Sequence, residues 1–158
     1  MNSESIYIET SIISYLTARP SNNLISAARQ KITHDWWHAK RNSYRCFASE
    51  LVVAEAAKGD HHAVQSRLEI LQELPVLEIE KESVEIADIF FSRASLPEKA
   101  RDDALHVAIA TYYKIDFLLT WNCRHLANAH FIRRLQSIAY DEGLILPTIC
   151  TPDEVGYE

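Results

Sequence analysis

Glycine is scarce in this chain, at 3 among 158 residues, and the loops that glycine builds are missing with it. No GxGxxG and no GxxxxGK[ST] run occurs, which excludes the phosphate-cradling loops of dinucleotide- and nucleoside-triphosphate-binding enzymes. Cysteine is sparse as well. Cys46, Cys123 and Cys150 are odd in number, far apart and without a CxxC pair. That excludes a disulfide framework and a thiolate zinc site, and it fits free thiols in a reducing cytoplasm. No stretch approaches the ~18 apolar residues of a membrane span. The apolar run at 5–8 is too short for the core of a signal peptide. Positive charge is also in deficit, since 16 Lys and Arg face 22 Asp and Glu for a formal net charge of -6. Proteins that grip nucleic acid mainly through its phosphates are usually basic, so any such binding here must be local or bridged by a metal ion. Local basic clusters do exist: Arg29 with Lys31, Lys40 and Arg41 with Arg45, and Arg124 with Arg133 and Arg134. Each also reads as a solvated helix face.

What is present is a 47% apolar composition with regular punctuation. The length suits one domain over residues 1–158, with about two thirds of the unfolded surface buried and a frayed tail at the end. Short strands are expected at 5–9, 45–48, 76–79, 117–120 and 148–150. Between them, helical spacing predicts a short turn to 16 capped by Thr10 or Ser11, then helices at 21–41, 61–74, 83–92 and 130–141. Ser49 should cap a helix over 50–58 that Gly59 ends, and Gly143 should end the helix before it. Ser95-Leu96-Pro97-Glu98 has the form of a capping box opening a helix that runs to 113. Short apolar strands alternating with longer helices predict a three-layer α/β/α fold around a parallel sheet of four to five strands. Ligands of such folds bind beyond the carboxyl ends of the strands, where the strand order reverses.

Acidic side chains stand where these buried elements end. Glu9 closes the run Ser5-Ile6-Tyr7-Ile8, Glu55 follows Leu51-Val52-Val53-Ala54, and Asp103 heads Ala104-Leu105-His106-Val107-Ala108-Ile109-Ala110. Asn122 follows Phe117-Leu118-Leu119-Thr120-Trp121. A charge costs several kcal/mol to bury unless it is paired or bound to metal. Three such acids therefore point to one shared site that holds a cation. Glu50 is the alternative to Glu55, and Asp102 lies beside Asp103. His106 reads as a satisfied, partly buried histidine more readily than as a ligand. Thr10 and Ser11 either contact a phosphate or cap a helix, Trp121 reads as packing, and His125 and Asn128 shape the rim. His34, His61 and His62 read as surface residues.

Ile8-Glu9-Thr10-Ser11, Ser49-Glu50-Leu51-Val52-Val53-Ala54-Glu55, the run from Asp103 to Ala110, and Leu118-Leu119-Thr120-Trp121-Asn122 together resemble the PIN-domain family. Within it they are most similar to the VapC-type toxins of bacterial toxin–antitoxin pairs, and the likeness covers nearly the whole chain. The resemblance implies a parallel sheet flanked by helices and metal-dependent cleavage of RNA. It also implies a cognate antitoxin laid across the acidic groove, a homodimer, and a cytoplasmic setting. The family's acidic positions fall on Glu9, Glu55, Asp103 and Asn122. On this likeness Glu9 and Asp103 ligate Mg²⁺ or Mn²⁺ directly or through water. Glu55 completes the set or orients the attacking water, and Asn122 bonds a bound water or the phosphate. Mg²⁺ and Mn²⁺ are hard cations suited to such oxygen donors.

Two positions depart from the family pattern. Glu9 stands where an Asp is usual, moving the carboxylate out by one methylene, and Asn122 stands where a carboxylate is usual. A ligand misplaced by about an ångström costs on the order of 10²-fold in rate. A one-metal nuclease, a Mn²⁺-favouring enzyme and a weak enzyme all stay open. So does a second function: a non-catalytic PIN-like module that binds RNA or protein through a degenerate site. A phosphatase with a carboxylate nucleophile is disfavoured, because no Asp-x-Asp follows the first strand. Trp36, Trp37 and Tyr44 offer aromatic area for a dimer interface or, equally, for a core.

Overall fold

The computed structural model describes residues 3–156. Five strands make one parallel sheet: β1 (Ser5–Ile8), β2 (Arg45–Ser49), β3 (Val76–Leu77), β4 (Phe117–Leu119) and β5 (Thr148–Cys150), in the spatial order β3-β2-β1-β4-β5. In this register Ile6 of β1 lies between Cys46 and Phe117, and Leu118 faces Ile149. Among the described residues the helices are α1 (Thr10–Thr17), α2 (Leu24–Ala39), α3 (Glu50–Ala56), α4 (His61–Leu71), α5 (Lys81–Arg93), α6 (Arg101–Tyr112) and α7 (Ala129–Asp141).

The topology places the helices. From β1 the chain steps outward to β2 and β3 through α1 to α4. It then crosses back to the other side of β1, through α5 and α6, to reach β4, and continues through α7 to β5. Parallel crossovers are right-handed, so reversing the direction of travel sends α5, α6 and α7 to the opposite face. The packing follows this division, with α1 against α2, α3 and α4, and α5 against α6 and α7. The expected α/β/α architecture with a parallel sheet is therefore the one observed.

As the central strand, β1 is covered on both faces, and this is why it reads as an unbroken apolar run rather than an alternating one. Its N-terminal end is fixed by Asp116, whose carboxylate accepts from the Ser5 backbone N–H at 2.8 Å and hydroxyl at 3.0 Å. The Asp116 N–H in turn donates to Ser5 Oγ. Trp36 and Trp37 are 2% and 5% exposed, so both belong to the core and neither offers free aromatic area.

Ser49 caps α3 as expected, accepting from Val52 N–H at 3.2 Å. Asn23, Asp60 and Asn128 cap α2, α4 and α7 with their side-chain oxygens, so Asn128 is a helix cap. Two expected caps are otherwise. The cap of α1 is Glu9, which accepts from Ser11 N–H, and not Thr10 or Ser11. The capping box at 95–98 does not form. Ser95 lies in left-handed backbone (φ 51) in the turn closing α5, where its N–H and that of Leu96 bond Ser92 and Phe91 carbonyls. An N-cap needs extended backbone, so Ser95 cannot be one. A 3₁₀ turn at Glu98–Ala100 follows, and α6 begins only at Arg101.

Gly59 and Gly143 follow α3 and α7 with φ of 101° and 69°, as the sequence indicated. The boundaries of α2, α3, α4, α5 and β3 differ from expectation by one to three residues, the ordinary uncertainty of element ends. After β5 the chain makes a 3₁₀ turn at Pro152–Glu154 with a complete capping box, and Val155 is buried. Of the tail expected to fray, residues 157 and 158 lie outside the described residues.

Candidate active site

Glu9 leaves the carboxyl end of β1 and Asn122 follows β4, and between these two strands the order of the sheet reverses. Both residues therefore stand at the crevice where open α/β sheets bind ligands. Glu9 is only 7% exposed. Its Oε1 accepts from Ser11 Oγ at 2.6 Å and from Thr120 Oγ1, and its Oε2 accepts from Ser11 N–H at 3.1 Å. The Glu9 side chain curls back over the start of α1 and caps it. Thr10 and Ser11 consequently fasten acids instead of capping. Ser11 holds Glu9 and accepts from Trp121 N–H at 2.8 Å, while Thr10 donates to Glu55 Oε1.

Glu55 comes from the last turn of α3, half-buried, and its Oε1 also meets His106 Nε2 at 2.7 Å. An ionised carboxylate can only accept, so Nε2 carries the proton in that bond. The other ring nitrogen, Nδ1, lies 2.6 Å from Tyr7 Oη, which lies 2.7 Å from Ser49 Oγ. With a neutral ring the bonds run in one direction: Val52 N–H to Ser49, Ser49 to Tyr7, Tyr7 to Nδ1, and Nε2–H to Glu55. His106 is 1% exposed with both nitrogens engaged, so it orients Glu55 and has no lone pair free for an ion. It is the satisfied histidine the sequence indicated, buried fully rather than partly.

Electrostatics follow from this packing. Burial would lift the Glu55 carboxyl, but the hydrogen bond and charge of His106, with Thr10 and Lys58, hold it below the usual range. Burial would lower the imidazole of His106, yet the bond to Glu55 and the charges of Glu9, Glu55 and Asp103 hold it above. Asp103, half-buried in the first turn of α6, is pushed up to about 6. Burial is the main cause, and Glu9 and Glu55 add to it against the pull of His106 and His125. Tyr7 is raised well above its ordinary value by burial.

The structure thus gathers the acids named from the sequence, though unevenly. Ligand atoms of Glu9, Glu55 and His106 lie within 4.8 Å of one another. Asp103 stands beside this set, close enough to feel its charge, and its Oδ1 meets Asn122 Nδ2 at 3.4 Å. Asn122 Oδ1 accepts from His125 N–H at 3.1 Å. Glu50 is elsewhere, exposed and bonded to Ile79 N–H at 2.7 Å, so Glu55 is the acid that joins the cluster. Asp102 points outward and is exposed. Trp121 packs as expected, its Nε1–H donating to Thr33 Oγ1 and its ring meeting Tyr15 edge-on. His61 and His62 are exposed, and His34 stacks on His38.

The donor set suits a hard divalent cation. Glu55 Oε2 and Asp103 Oδ2 take no part in these hydrogen bonds, and Glu9 Oε2 carries only one. Carboxylate oxygens on both sides of the crevice therefore keep lone pairs for an ion that prefers oxygen. Tyr7 and Thr120 were not singled out from the sequence. The signal was there in each case: a phenol inside an apolar strand and a hydroxyl just past the end of another, each too buried to be left without a partner.

A PIN domain family model matches residues 6–129. No curated protein sequence matches the chain. Among solved structures, the chain is similar to the Mycobacterium tuberculosis toxin VapC20, described as cleaving the sarcin-ricin loop. The TM-score is 0.60 at 18% identity, over 76% of this chain and 92% of that one. It is similar also to VapBC2 from Rickettsia felis bound to a promoter DNA fragment (TM-score 0.60, 13% identity, 93% and 98% covered). A third similar structure is a toxin–antitoxin complex from Klebsiella pneumoniae (TM-score 0.56, 16% identity, 93% and 97% covered). With the family model matching well over half of its length, and the acids that follow β1, end α3 and open α6 gathered about one crevice, the chain belongs to the PIN domain family.

Proposed function

We propose that the chain is a divalent-metal-dependent endoribonuclease and the toxin of a toxin–antitoxin pair. One observation carries this reading. The carboxylates of Glu9, just after β1, and Glu55, from α3, converge at the switch point of the sheet with Asp103 of α6 beside them, and oxygens still able to bind a cation. The neighbouring structures, which include toxin–antitoxin complexes, support the choice of class and of an antitoxin as partner. A second copy of the chain completes the proposed assembly. The proposed setting is the cytoplasm, in keeping with three free thiols.

Glu9, Glu55 and Asp103 would hold Mg²⁺ or Mn²⁺, with Glu9 and Asp103 as the principal ligands. Such an ion supplies positive charge against the scissile phosphate and acidifies a water. Glu55, kept ionised by His106 and Thr10, accepts the proton of the attacking water at Oε2. Asn122 presents its amide N–H to Asp103 and to a phosphate oxygen brought alongside. Ser11 and Thr120 keep Glu9 from swinging away from the crevice.

The test is cleavage of RNA by purified protein with Mg²⁺, with Mn²⁺ and with chelator, in wild type and in Asp103→Ala. Metal-dependent cleavage that the substitution abolishes is expected, and undiminished cleavage by the variant refutes the assignment. One feature favours the second reading, a non-catalytic interaction module: Glu9 already accepts three hydrogen bonds, which lowers its value as a ligand. Calorimetric titration separates the two, because a degenerate site binds neither ion at millimolar concentration.

A further inference from the structure

The basic cluster of Arg124, Arg133 and Arg134 has no part in the acidic site, yet the fold brings two of its members next to it. An open cleft of about 180 Å³ lies between the start of α6 and the start of α7. Arg124, His125, His130 and Arg134 line it, over an apolar floor of Leu96 and Phe131, and no carboxylate takes part. In a chain of net charge -6, a cleft with four basic side chains and no acid is a local exception.

The arginines are also uncommitted. Elsewhere on α5 and α6 the cations are neutralised, Arg93 by Asp141 and Glu142 and Arg101 by Glu98. Among the described residues, neither Arg124 nor Arg134 has an ion pair. The Arg134 guanidinium donates to the Ala94 carbonyl at 3.3 Å. The cleft is continuous with the acidic site. His125, on its wall, donates its N–H to Asn122 Oδ1 and faces Asp103 closely enough to pull its carboxyl down. Ala100, also on the wall, directly precedes α6, which carries Asp103 in its first turn.

We infer that this cleft holds the sugar–phosphate backbone of the RNA strand next to the scissile bond, through Arg124 and Arg134 and without a metal ion. The inference rests on the nuclease reading above for the position of the scissile phosphate. A strand with one phosphate at Asp103 and Asn122 carries its neighbouring phosphates past His125 and into the cleft. Guanidinium groups without partners suit phosphate oxygens, which they meet in paired hydrogen bonds. The apolar floor suits a ribose or base face exposed in a single strand. An acidic protein segment would find the same cations, and RNA binding that does not depend on the arginines would point to it instead.

The experiment measures binding of a short unstructured RNA oligonucleotide in chelator across a salt series, together with KM and kcat for cleavage in Mn²⁺. Wild type, Arg124→Ala/Arg134→Ala, Arg124→Lys/Arg134→Lys and Asp103→Ala are compared. Each phosphate contact on a single strand contributes about 0.7 to the slope of log K against log salt. The double alanine variant should lose a slope of about 1.4 and on the order of tenfold in affinity per arginine, with KM rising by more than kcat falls. The lysine variant should recover most of the slope, which a merely structural defect would not allow. Asp103→Ala should lose cleavage and keep metal-free binding. An alanine double variant with wild-type slope and KM overturns the cleft and leaves the nuclease reading standing. A wild type that does not bind RNA in chelator overturns the cleft as well. Slope lost with the arginines, while Asp103→Ala cleaves normally, supports the cleft and removes the catalytic assignment.

Discussion

Asp103 shows what the site costs the protein that carries it. Its carboxyl is displaced from an ordinary 3.8 to about 6, so the folded chain holds a proton there that the unfolded chain has already shed. Between these values this residue's contribution to stability falls as pH rises. Glu55, lowered from 4.5, contributes stability above that value and loses it as pH falls through its folded pKa. His106, raised from 6.5, contributes below that value and loses it as pH rises through its folded pKa. The metal-free protein should therefore be most stable in mildly acid solution and weaken toward neutral pH. Asp103→Asn should flatten the decline between pH 4 and 6 and raise metal-free stability at pH 7 by on the order of 1 kcal/mol; urea unfolding at several pH values checks both. Tyr7→Phe keeps the ring but strands His106 Nδ1 and Ser49 in a dry core, and should cost about 1–3 kcal/mol by the same assay. That Glu9, Glu55, Asp103 and Asn122 gather about one crevice was legible because polar residues at the ends of apolar runs stand out. The residues that hold them were not. A hydroxyl inside a buried run has no sequence marker for its partner 99 or 111 positions away.

At the scale of elements, the caps divide along a physical line. Ser49 was legible because an N-cap is a local bond between neighbours, whereas Ser95 misled because a capping pattern cannot show how the preceding helix ends. The shortage of glycine has a structural echo here. All three glycines take left-handed backbone, and Ser95 and Lys114 adopt it too, with φ of 51° and 56° and no glycine to ease them. Ser95→Gly removes a steric cost that outweighs the added freedom of the unfolded chain, and should stabilise by up to about 1 kcal/mol. A rise in thermal midpoint checks it, and a fall would mean that Ser95 makes a compensating contact.

For the molecule as a whole, the alternation of strand and helix was enough to predict the layers, because burial on both faces leaves a distinct apolar pattern in short strands. Strand order was beyond that pattern. It follows from crossovers whose direction no local signal encodes, and the meeting of Glu9 with Glu55 depends on it. A crowded set of acids should be relieved by the divalent ion proposed for it. Mg²⁺ or Mn²⁺ at about a hundredfold its Kd should stabilise the protein by about 2.7 kcal/mol, seen as a rise in thermal midpoint, and Glu9→Ala should abolish most of it. Asn122→Asp replaces an amide donor with a charge beside Asp103 and should tighten divalent binding in calorimetry. Thr120, which pins Glu9, lies 111 residues further along the chain. The first acid is thus seated only once β4 has docked beside β1, and that cannot happen before residue 120 has left the ribosome. On the ribonuclease function proposed above, a protein born attached to an RNA machine has its harmlessness during translation built into the order of its own strands.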